Sequence, residues 1–307
     1  MATSNANTLT KSRDLTITFD EAFRLATPIY PMISHMVESD GADEKIGWLG
    51  SMPGVREWLG DRQFNTLRAA DFTLVNKLWE SSVMINRQDF NDDRKNVYNP
   101  VLQELAKTAA LHPDQLMLDL LPAGENTLCW DGQNYFDTDH VWGDSGSQSN
   151  DLTYDASNTA AITESEFKAA FRQAVNAILT FKRDNGEYFY QGALEKLSDL
   201  TLLVPVALRG VAHDTLESTL IGGGDSNVII DRPKIITSNR LTNNTKFYTL
   251  FTGARYFRPF VFQARQPLVR ELRGLDSIKT KELEFMTEAR YNVGYLAWWN
   301  CVLTTFT

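Results

Sequence analysis

The sequence predicts an α+β fold, in which helices and strands follow one another without a regular order. An amphipathic helix with a capping signal begins at Thr163, and a second helical pattern follows residues 92–93. By contrast, residues 72–90 and 200–208 are rich in the residue types of strands. Because these segments do not alternate as βαβ units, a parallel Rossmann-type sheet is disfavoured.

The first twenty residues, MATSNANTLTKSRDLTITFD, are polar and rich in Thr, Ser and Asn. They lack the charged and then apolar layout of a signal peptide, so export is not indicated. We expect this segment to be a mobile arm.

Residues 72–90, FTLVNKLWESSVMINRQDF, predict strand. A long, bent helix is then expected from Asp92 and Asp93. Asn99 is suited to cap it, and Pro113 is expected to break or kink it before it stops at residues 122–124. The apolar stripe of its first half comprises Val101, Leu102, Leu105, Ala106 and Ala109.

Residues 143–158, GDSGSQSNDLTYDASN, are rich in Ser, Asp and Gly and predict a linker at a domain junction. Beyond them, Thr163 and Glu166 have the spacing of a capping box. The apolar residues that follow at helical spacing are Phe167, Ala170, Phe171, Ala174, Val175, Ile178 and Leu179.

The remaining chain alternates between apolar strand patterns and turns. LTLLVPVAL at 200–208 predicts a buried strand that leads into a helix at about 209–220. IGGGDSN at 221–227 predicts a flexible loop, since no GK[ST] follows the glycines as in a phosphate-binding loop. Segments 228–239 and 246–306 contribute further β-rich stretches separated by turns.

Candidate catalytic and metal-binding residues are few. The stretch DGQNYFDTDH places Asp131, Asp137, Asp139 and His140 close in sequence, but it has neither the ligand order of a calcium loop nor HExxH spacing. A solvated loop is therefore favoured over a metal site, and a hydrolase that uses Asp137 and Asp139 is the weakest alternative. His35, His112 and His213 are isolated in sequence and are interpreted as structural.

Composition excludes several functional classes. Hydrophobic residues make up 43% and charged residues 22% of the chain, as in a globular protein, and no apolar run reaches the roughly 18 to 20 residues of a spanning helix. A net charge of −9 argues against a general nucleic-acid binder. Cys129 and Cys301 have no CxxC spacing, so a disulfide framework or thiolate zinc site is disfavoured. We expect no enzyme activity, catalytic residue, metal or cofactor.

Four segments resemble, as a set and in the same order, the major head subunit (T protein) family of phage Mu and Mu-like prophages. They are VREWLGDRQFNTL at 55–67, NKLWESSVMINRQDFNDD at 76–93, CWDGQNYFDTDH at 129–140 and EARYNVGYLAWW at 288–299. The resemblance implies a Hong Kong 97-type (HK-97-like) major capsid fold and the function of a major capsid protein, which forms the icosahedral head of the virion.

That resemblance also implies a division of the chain into five regions. These are an N-terminal arm at 1–46, an extended hairpin called the E-loop at 47–80, the first part of the P-domain with its long spine helix and linker at 81–158, an A-domain at 159–244, and return strands of the P-domain at 245–307. The spine helix is expected to start near Asp92 and Asp93.

The same resemblance places a set of inter-subunit contact residues on the E-loop. They are Arg56, Trp58, Leu59, Arg62, Phe64 and Leu67. Aromatic and arginine anchors are typical of interface cores. The alternative is that Trp58 packs on the long helix of its own chain.

The expected partners are other copies of the chain in pentamers and hexamers, a separate scaffold protein, a portal and decoration proteins. Double-stranded DNA would be enclosed without sequence-specific binding, and no membrane is involved. A second interpretation with the same fold is the shell of a cargo-enclosing nanocompartment (encapsulin-like).

Overall fold

The computed structural model describes residues 2–41, 43–49, 69–92, 97–190, 196–217, 220–221, 225–226, 232–253, 257–273 and 282–307. The helices are α1 (Ala2–Leu25), α2 (Tyr30–Ile33), α3 (Arg87–Asp92), α4 (Tyr98–Ala123), α5 (Glu164–Thr180) and α6 (Arg209–Leu216). The strands are β1 (Ser34–Glu38), β2 (Asp43–Leu49), β3 (Ala69–Val75), β4 (Lys77–Asn86), β5 (Asp151–Tyr154), β6 (Leu200–Pro205), β7 (Leu220–Ile221), β8 (Asp225–Ser226), β9 (Lys234–Ser238), β10 (Lys246–Phe251), β11 (Phe260–Arg273), β12 (Glu282–Tyr295) and β13 (Cys301–Phe306).

Two larger sheets organise these elements. One has four strands in the order β1-β11-β12-β4, in which only the β1–β11 pair is parallel. The other has the order β5-β13-β10-β6-β9 and mixes parallel and antiparallel pairs. The α+β class is confirmed, because neither sheet consists of regular parallel βαβ units.

Two hydrophobic cores pack against these sheets, and the larger one includes Phe260, Tyr291 and Tyr295 of the four-stranded sheet. The larger core is formed around the five-stranded sheet by helix α5 and by the aromatic residues near the end of the chain. The smaller core lies between the four-stranded sheet and helices α1 and α4, and includes Phe19, Leu102 and Phe285. Helix α4 contributes to both cores and connects them.

Residues 2–20 do not form the predicted mobile arm. They lie in α1, whose Leu15, Phe19 and Ala22 are buried against α4 and the four-stranded sheet. The spacing of these three residues, i, i+4 and i+7, puts them on one helical face. The Thr- and Ser-rich composition concealed that short stripe, and tertiary packing outweighs the weak helix propensity of the segment.

The long helix differs from its prediction at both its start and its middle. Asp92 is the last residue of α3, and α4 begins at Tyr98, not near Asp92 and Asp93. Asp93 lies outside the described residues. Asn99 is inside the helix and does not cap it. The chain stays helical through Pro113, whose ring is buried, because core contacts on both sides stabilise the helix despite the lost hydrogen bond.

The predicted linker at 143–158 is wrong, since it contains strand β5, which pairs in parallel with β13 at the sheet edge. The predicted strand at 72–90 is interrupted at Asn76 and ends at Asn86. In contrast, the capping box of Thr163 and Glu166 is present with both reciprocal hydrogen bonds. The buried strand at 200–208 is confirmed as β6 and leads into α6.

Candidate functional site

Strands β2 and β3 form a two-stranded antiparallel ladder that belongs to neither larger sheet. Its register runs from Asp43 opposite Val75 at the base to Leu49 opposite Ala69 at the far end. Seven residues per strand give it a length of roughly 20 Å. A two-stranded ladder cannot bury both of its faces, so by itself it is marginally stable in water.

The base of this hairpin is fixed by buried side-chain amides of the four-stranded sheet. Asn292 donates from Nδ2 to the carbonyl oxygen of Val75 at 2.8 Å. Gln263 donates from Nε2 to the carbonyl oxygen of Leu74 at 3.0 Å and to Oδ1 of Asn76 at 2.9 Å. Gln263 is completely buried and Asn292 nearly so. We call Asn76, Gln263 and Asn292 the amide clamp.

The clamp also reaches the chain that leads into the hairpin. Asn76 donates from Nδ2 to Oγ of Ser39 at 2.8 Å and to the carbonyl oxygen of Gly41 at 3.1 Å. Arg265 donates to the carbonyl oxygen of Ser39 at 3.0 Å. Both strands of the hairpin are therefore tied to the sheet at their base, which defines the direction in which the hairpin leaves it.

A glycine allows the hairpin to approach the sheet closely. A Cβ atom on Gly294 would lie 3.2 Å from Cδ1 of Leu74. This distance is shorter than ordinary van der Waals contact, so a larger residue at this position would displace Leu74. Close packing thus supports the same attachment as the amide clamp.

The predicted contact residues Arg56, Trp58, Leu59, Arg62, Phe64 and Leu67 lie outside the described residues, in the segment between Leu49 and Ala69. Sequence reasoning missed the amide clamp. A signal was present, since Gln263 and Asn292 are polar residues within the apolar strand patterns FVFQAR and YNVGY. A polar side chain in such a position must find a hydrogen-bond partner.

The segment 131–140 is ordered and partly buried, contrary to the prediction of a solvated loop. His140 is completely buried, and its Nδ1 lies 2.6 Å from Oδ2 of Asp131, whose side chain is only 2% exposed. The imidazole stacks on the indole of Trp298, with ring centroids 4.1 Å apart and planes 5° apart. This arrangement fastens the segment to the end of the chain.

Asn150 completes the cluster and fixes its hydrogen-bond directions. Its Nδ2 is surrounded by the carbonyl oxygens of Tyr135, Trp298 and Cys301, at 2.8 to 3.3 Å. Its Oδ1 must then be the acceptor that lies 3.2 Å from Nε2 of His140. Asn150, predicted to be in a linker, is instead fully buried and joins residues 135–140 to residues 298–301.

The carboxylates of Asp137 and Asp139 have a structural role, because they form hydrogen bonds within their own loop. Burial alone would raise the pKa of Asp137, but backbone N–H groups of Thr138 and Asn134 bind both of its oxygens and lower the pKa. A hydrogen bond with Asp137 raises the pKa of Asp139, which is fully exposed. Since backbone donors occupy Asp137, the geometry gives little support to a hydrolase.

The other candidate groups also have structural environments. Burial raises the pKa of both Cys129 and Cys301, which keeps these free thiols protonated. Nδ1 of His112 is 2.6 Å from the hydroxyl of Tyr291, and Nδ1 of His213 is 2.6 Å from Oε2 of Glu217. In the part of the chain that the structure describes, no cluster of His, Cys, Asp or Glu could hold a metal ion. Among the helices of that part, none is long and apolar enough to cross a membrane.

The fold described above is similar to the folds of solved phage capsid proteins. The mature capsid of bacteriophage PhiM1 superimposes with a TM-score of 0.62 at 9% identity, over 92% of this chain and 88% of that chain. The fold is that of the Hong Kong 97-type capsid proteins. The sequence model for the Mu-like prophage major head subunit gpT matches residues 9–167, and the chain belongs to this family.

Two curated relatives share this sequence similarity. The chain is 40% identical over 125 residues to the Mu-like prophage FluMu major head subunit of Haemophilus influenzae, covering 41% of each chain. It is 40% identical over 111 residues to the major capsid protein of Escherichia phage Mu, covering 36% of each chain. The matched part thus spans about two fifths of the length of these relatives.

Proposed function

We propose that this chain is the major capsid (head) protein of a Mu-like tailed phage or prophage. Copies of it assemble into pentamers and hexamers of an icosahedral shell that encloses double-stranded DNA, and the virion is its location. The observation that carries the proposal is the β2–β3 hairpin, whose base the amide clamp anchors to the four-stranded sheet. A projecting two-stranded ladder gains stability when a neighbouring subunit covers it.

The contact residues of the hairpin follow from this proposal. Trp58, Leu59, Phe64 and Leu67 supply apolar area to the neighbour, while Arg56 and Arg62 pair with its carboxylates. Such charge-assisted pairs set the orientation of a contact more than its affinity. Trp58 is the proposed anchor, because large aromatic side chains dominate the energy of interfaces.

The proposed regions are the arm at 1–46, the E-loop at 47–80, the P-domain at 81–158 and 245–307, and the A-domain at 159–244. Helix α4 serves as the spine helix. Strand pairing favours one adjustment, since β13 pairs with β10, and β10 pairs with β6 of the A-domain. We therefore assign the strands of residues 246–251 and 301–306 to the A-domain sheet.

The proposed partners are a separate scaffold protein during assembly, a portal and decoration proteins. The net charge of −9 fits a container, because a strongly basic inner surface would bind DNA that must be packed and later released. The proposed role is structural, without catalysis. Membership of a phage head family disfavours the nanocompartment alternative.

The test is size-exclusion chromatography and negative-stain electron microscopy of the purified chain, alone and with its scaffold protein. Rings, tubes or shells are expected. Trp58→Ala should reduce assembly while leaving the circular dichroism spectrum unchanged, whereas Leu128→Ala, at a side chain that is 69% exposed, should assemble normally.

Two outcomes would contradict parts of the proposal. A chain that stays monomeric in both conditions would reject the assembly function and favour packing of Trp58 within its own chain. Uniform closed shells from the chain alone would show that no separate scaffold protein is needed.

A further inference from the structure

A cavity of about 160 Å³, partly open to solvent, lies between helix α4 and the four-stranded sheet. Its walls include Ala109 and His112 from α4, Trp79 from β4, Leu268 from β11, and Ala289 and Tyr291 from β12. Along α4, the cavity lies between the part that packs in the smaller core, at Leu102 and Ala106, and the part that packs in the larger core, from Met117 onward. It therefore occupies the junction of the two cores.

The lining combines aromatic rings and aliphatic side chains with four polar residues, Glu80, Ser81, Thr108 and Thr287. The rings of Trp79 and His112 meet edge to face, with centroids 4.5 Å apart, and the ring of Tyr291 is 5.9 Å from that of His112. Ala109 and Ala289 lie on the two opposing elements. Because both are alanines, the helix and the sheet leave between them a space that longer side chains would fill.

The polar groups of the aromatic residues are almost all paired. Nε1 of Trp79 donates to the carbonyl oxygen of Tyr291 at 2.9 Å, and the hydroxyl of Tyr291 pairs with Nδ1 of His112. Within the described ranges, Nε2 of His112 has no hydrogen-bond partner. Burial, and then the nearby Arg240, lowers the pKa of His112, so the imidazole is neutral at neutral pH. Its Nε2 is the remaining polar atom of these three side chains.

Size and chemistry together define the ligand. An apolar cavity of about 150 Å³ in a protein core is large enough to bind a molecule the size of benzene. Aromatic walls favour a flat ring through edge-to-face and stacked contacts. A hydroxyl group can both donate and accept, so it can pair with Nε2 of His112 in either neutral tautomer.

We propose that this cavity is a binding site for one small phenol, whose ring fits between Ala109 and Ala289 and whose hydroxyl pairs with Nε2 of His112. The bound ring contacts the helix and the sheet at once and thereby stabilises their packing. This inference does not depend on the assembly function, since helix α4 and the four-stranded sheet form the site.

The experiment is equilibrium dialysis of the full chain with radiolabelled phenol. One phenol per chain is expected, with a dissociation constant on the order of 1 mM for a ligand of this size. Ala109→Leu fills the cavity from the helix and should weaken binding at least about tenfold, as should Ala289→Val from the sheet if the first variant does not fold. Ala123→Leu, at an exposed position of the same helix, should bind phenol like the unmodified chain.

A second comparison isolates the hydrogen bond. His112→Phe keeps an aromatic wall but removes Nε2, so it should bind phenol no more tightly than benzene while its affinity for benzene stays unchanged. Phenol uptake that does not saturate, or uptake by a folded Ala109→Leu or Ala289→Val variant equal to that of the unmodified chain, would overturn the proposal.

Discussion

Nδ1 of His140 lies 2.6 Å from Oδ2 of Asp131, and both side chains are almost completely removed from solvent. Replacing His140 with Phe would leave the Asp131 carboxylate buried without its partner. Breaking a buried pair in this way costs about 3–5 kcal/mol of unfolding free energy. Urea unfolding of His140→Phe measures this loss directly.

A matched control exists on α6. His213 and Glu217 are also 2.6 Å apart, but their side chains are 35% and 44% exposed. His213→Phe should therefore change the unfolding free energy by less than about 1 kcal/mol. The double variant His140→Phe with Asp131→Asn should be more stable than His140→Phe alone, because it removes the unpaired charge. If His140→Phe and His213→Phe lowered the unfolding free energy by the same amount, burial of the His140–Asp131 pair would not explain its contribution to stability.

The amide clamp predicts that the hairpin can be loosened without unfolding the chain. Asn292→Asp keeps the shape of the side chain but removes the donor to Val75, at a cost of about 1–3 kcal/mol. Amide hydrogen exchange should become faster in β2 and β3 and stay unchanged in β6. Shell assembly should decrease at the same time, as seen by electron microscopy.

Asn243→Asp is the control for this substitution. Asn243 is exposed, and its Oδ1 accepts hydrogen bonds from Thr245, which an aspartate can also accept. Amide hydrogen exchange of the Asn243→Asp variant should match that of the unmodified chain. Unchanged exchange in β2 and β3 of Asn292→Asp would show that the clamp does not determine the stability of the hairpin.

Helix α1 should contribute strongly to stability through one buried face. Phe19 is 1% exposed and lies against Phe285, with ring centroids 5.2 Å apart. Phe19→Ala should lower the unfolding free energy by about 3–5 kcal/mol. Ile17→Ala, on the exposed side of the same helix at 46% exposure, should lower it by less than about 0.5 kcal/mol. A small effect of Phe19→Ala in a thermal or urea melt would mean that α1 is not docked in solution.

The capping box of α5 predicts that the free energy of unfolding depends on pH in the acidic range. A hydrogen bond from the Thr163 hydroxyl, together with one from the backbone N–H of Ser157, lowers the pKa of Glu166 to about 2. Since this pKa is lower in the folded chain, Glu166 stabilises the fold above its unfolded pKa of roughly 4.3. That contribution is lost as the pH falls toward 2.

The measurement is the difference in unfolding free energy between the unmodified chain and Glu166→Gln as a function of pH. The difference should be constant above pH 5 and shrink as the pH falls below about 4.3. Glu187→Gln, which is not part of a capping box, provides the comparison. If this difference in unfolding free energy instead grew as the pH falls, the proposed stabilisation by ionised Glu166 would be contradicted.

Several features could be predicted because neighbouring residues determine them. The capping box of Thr163 and Glu166 is a contact across three residues, and strand β6 is a continuous apolar run, so both are visible in sequence. The α+β class and the family resemblance rest on patterns of the same local kind. Local hydrogen bonds and periodicity do not depend on where the rest of the chain lies.

The features that sequence reasoning missed depend on contacts between distant residues. The clamp joins Asn292 to Val75 across 217 positions, and Asn150 binds the carbonyl oxygen of Cys301 across 151 positions. No local pattern distinguishes an asparagine in such a junction from one in a solvated linker. The docking of α1 is similar, because three apolar residues form a core only when α4 and Phe285 face them.

The sequence by itself determined the class of fold, the family and the best-capped helix of this protein. Only the tertiary structure decided that the polar first segment is a docked helix, that His140 and Asn150 form a buried junction, and where the hairpin is anchored. The physical reason is that burial and hydrogen-bond satisfaction are properties of the assembled chain, whereas periodicity and capping are properties of short segments.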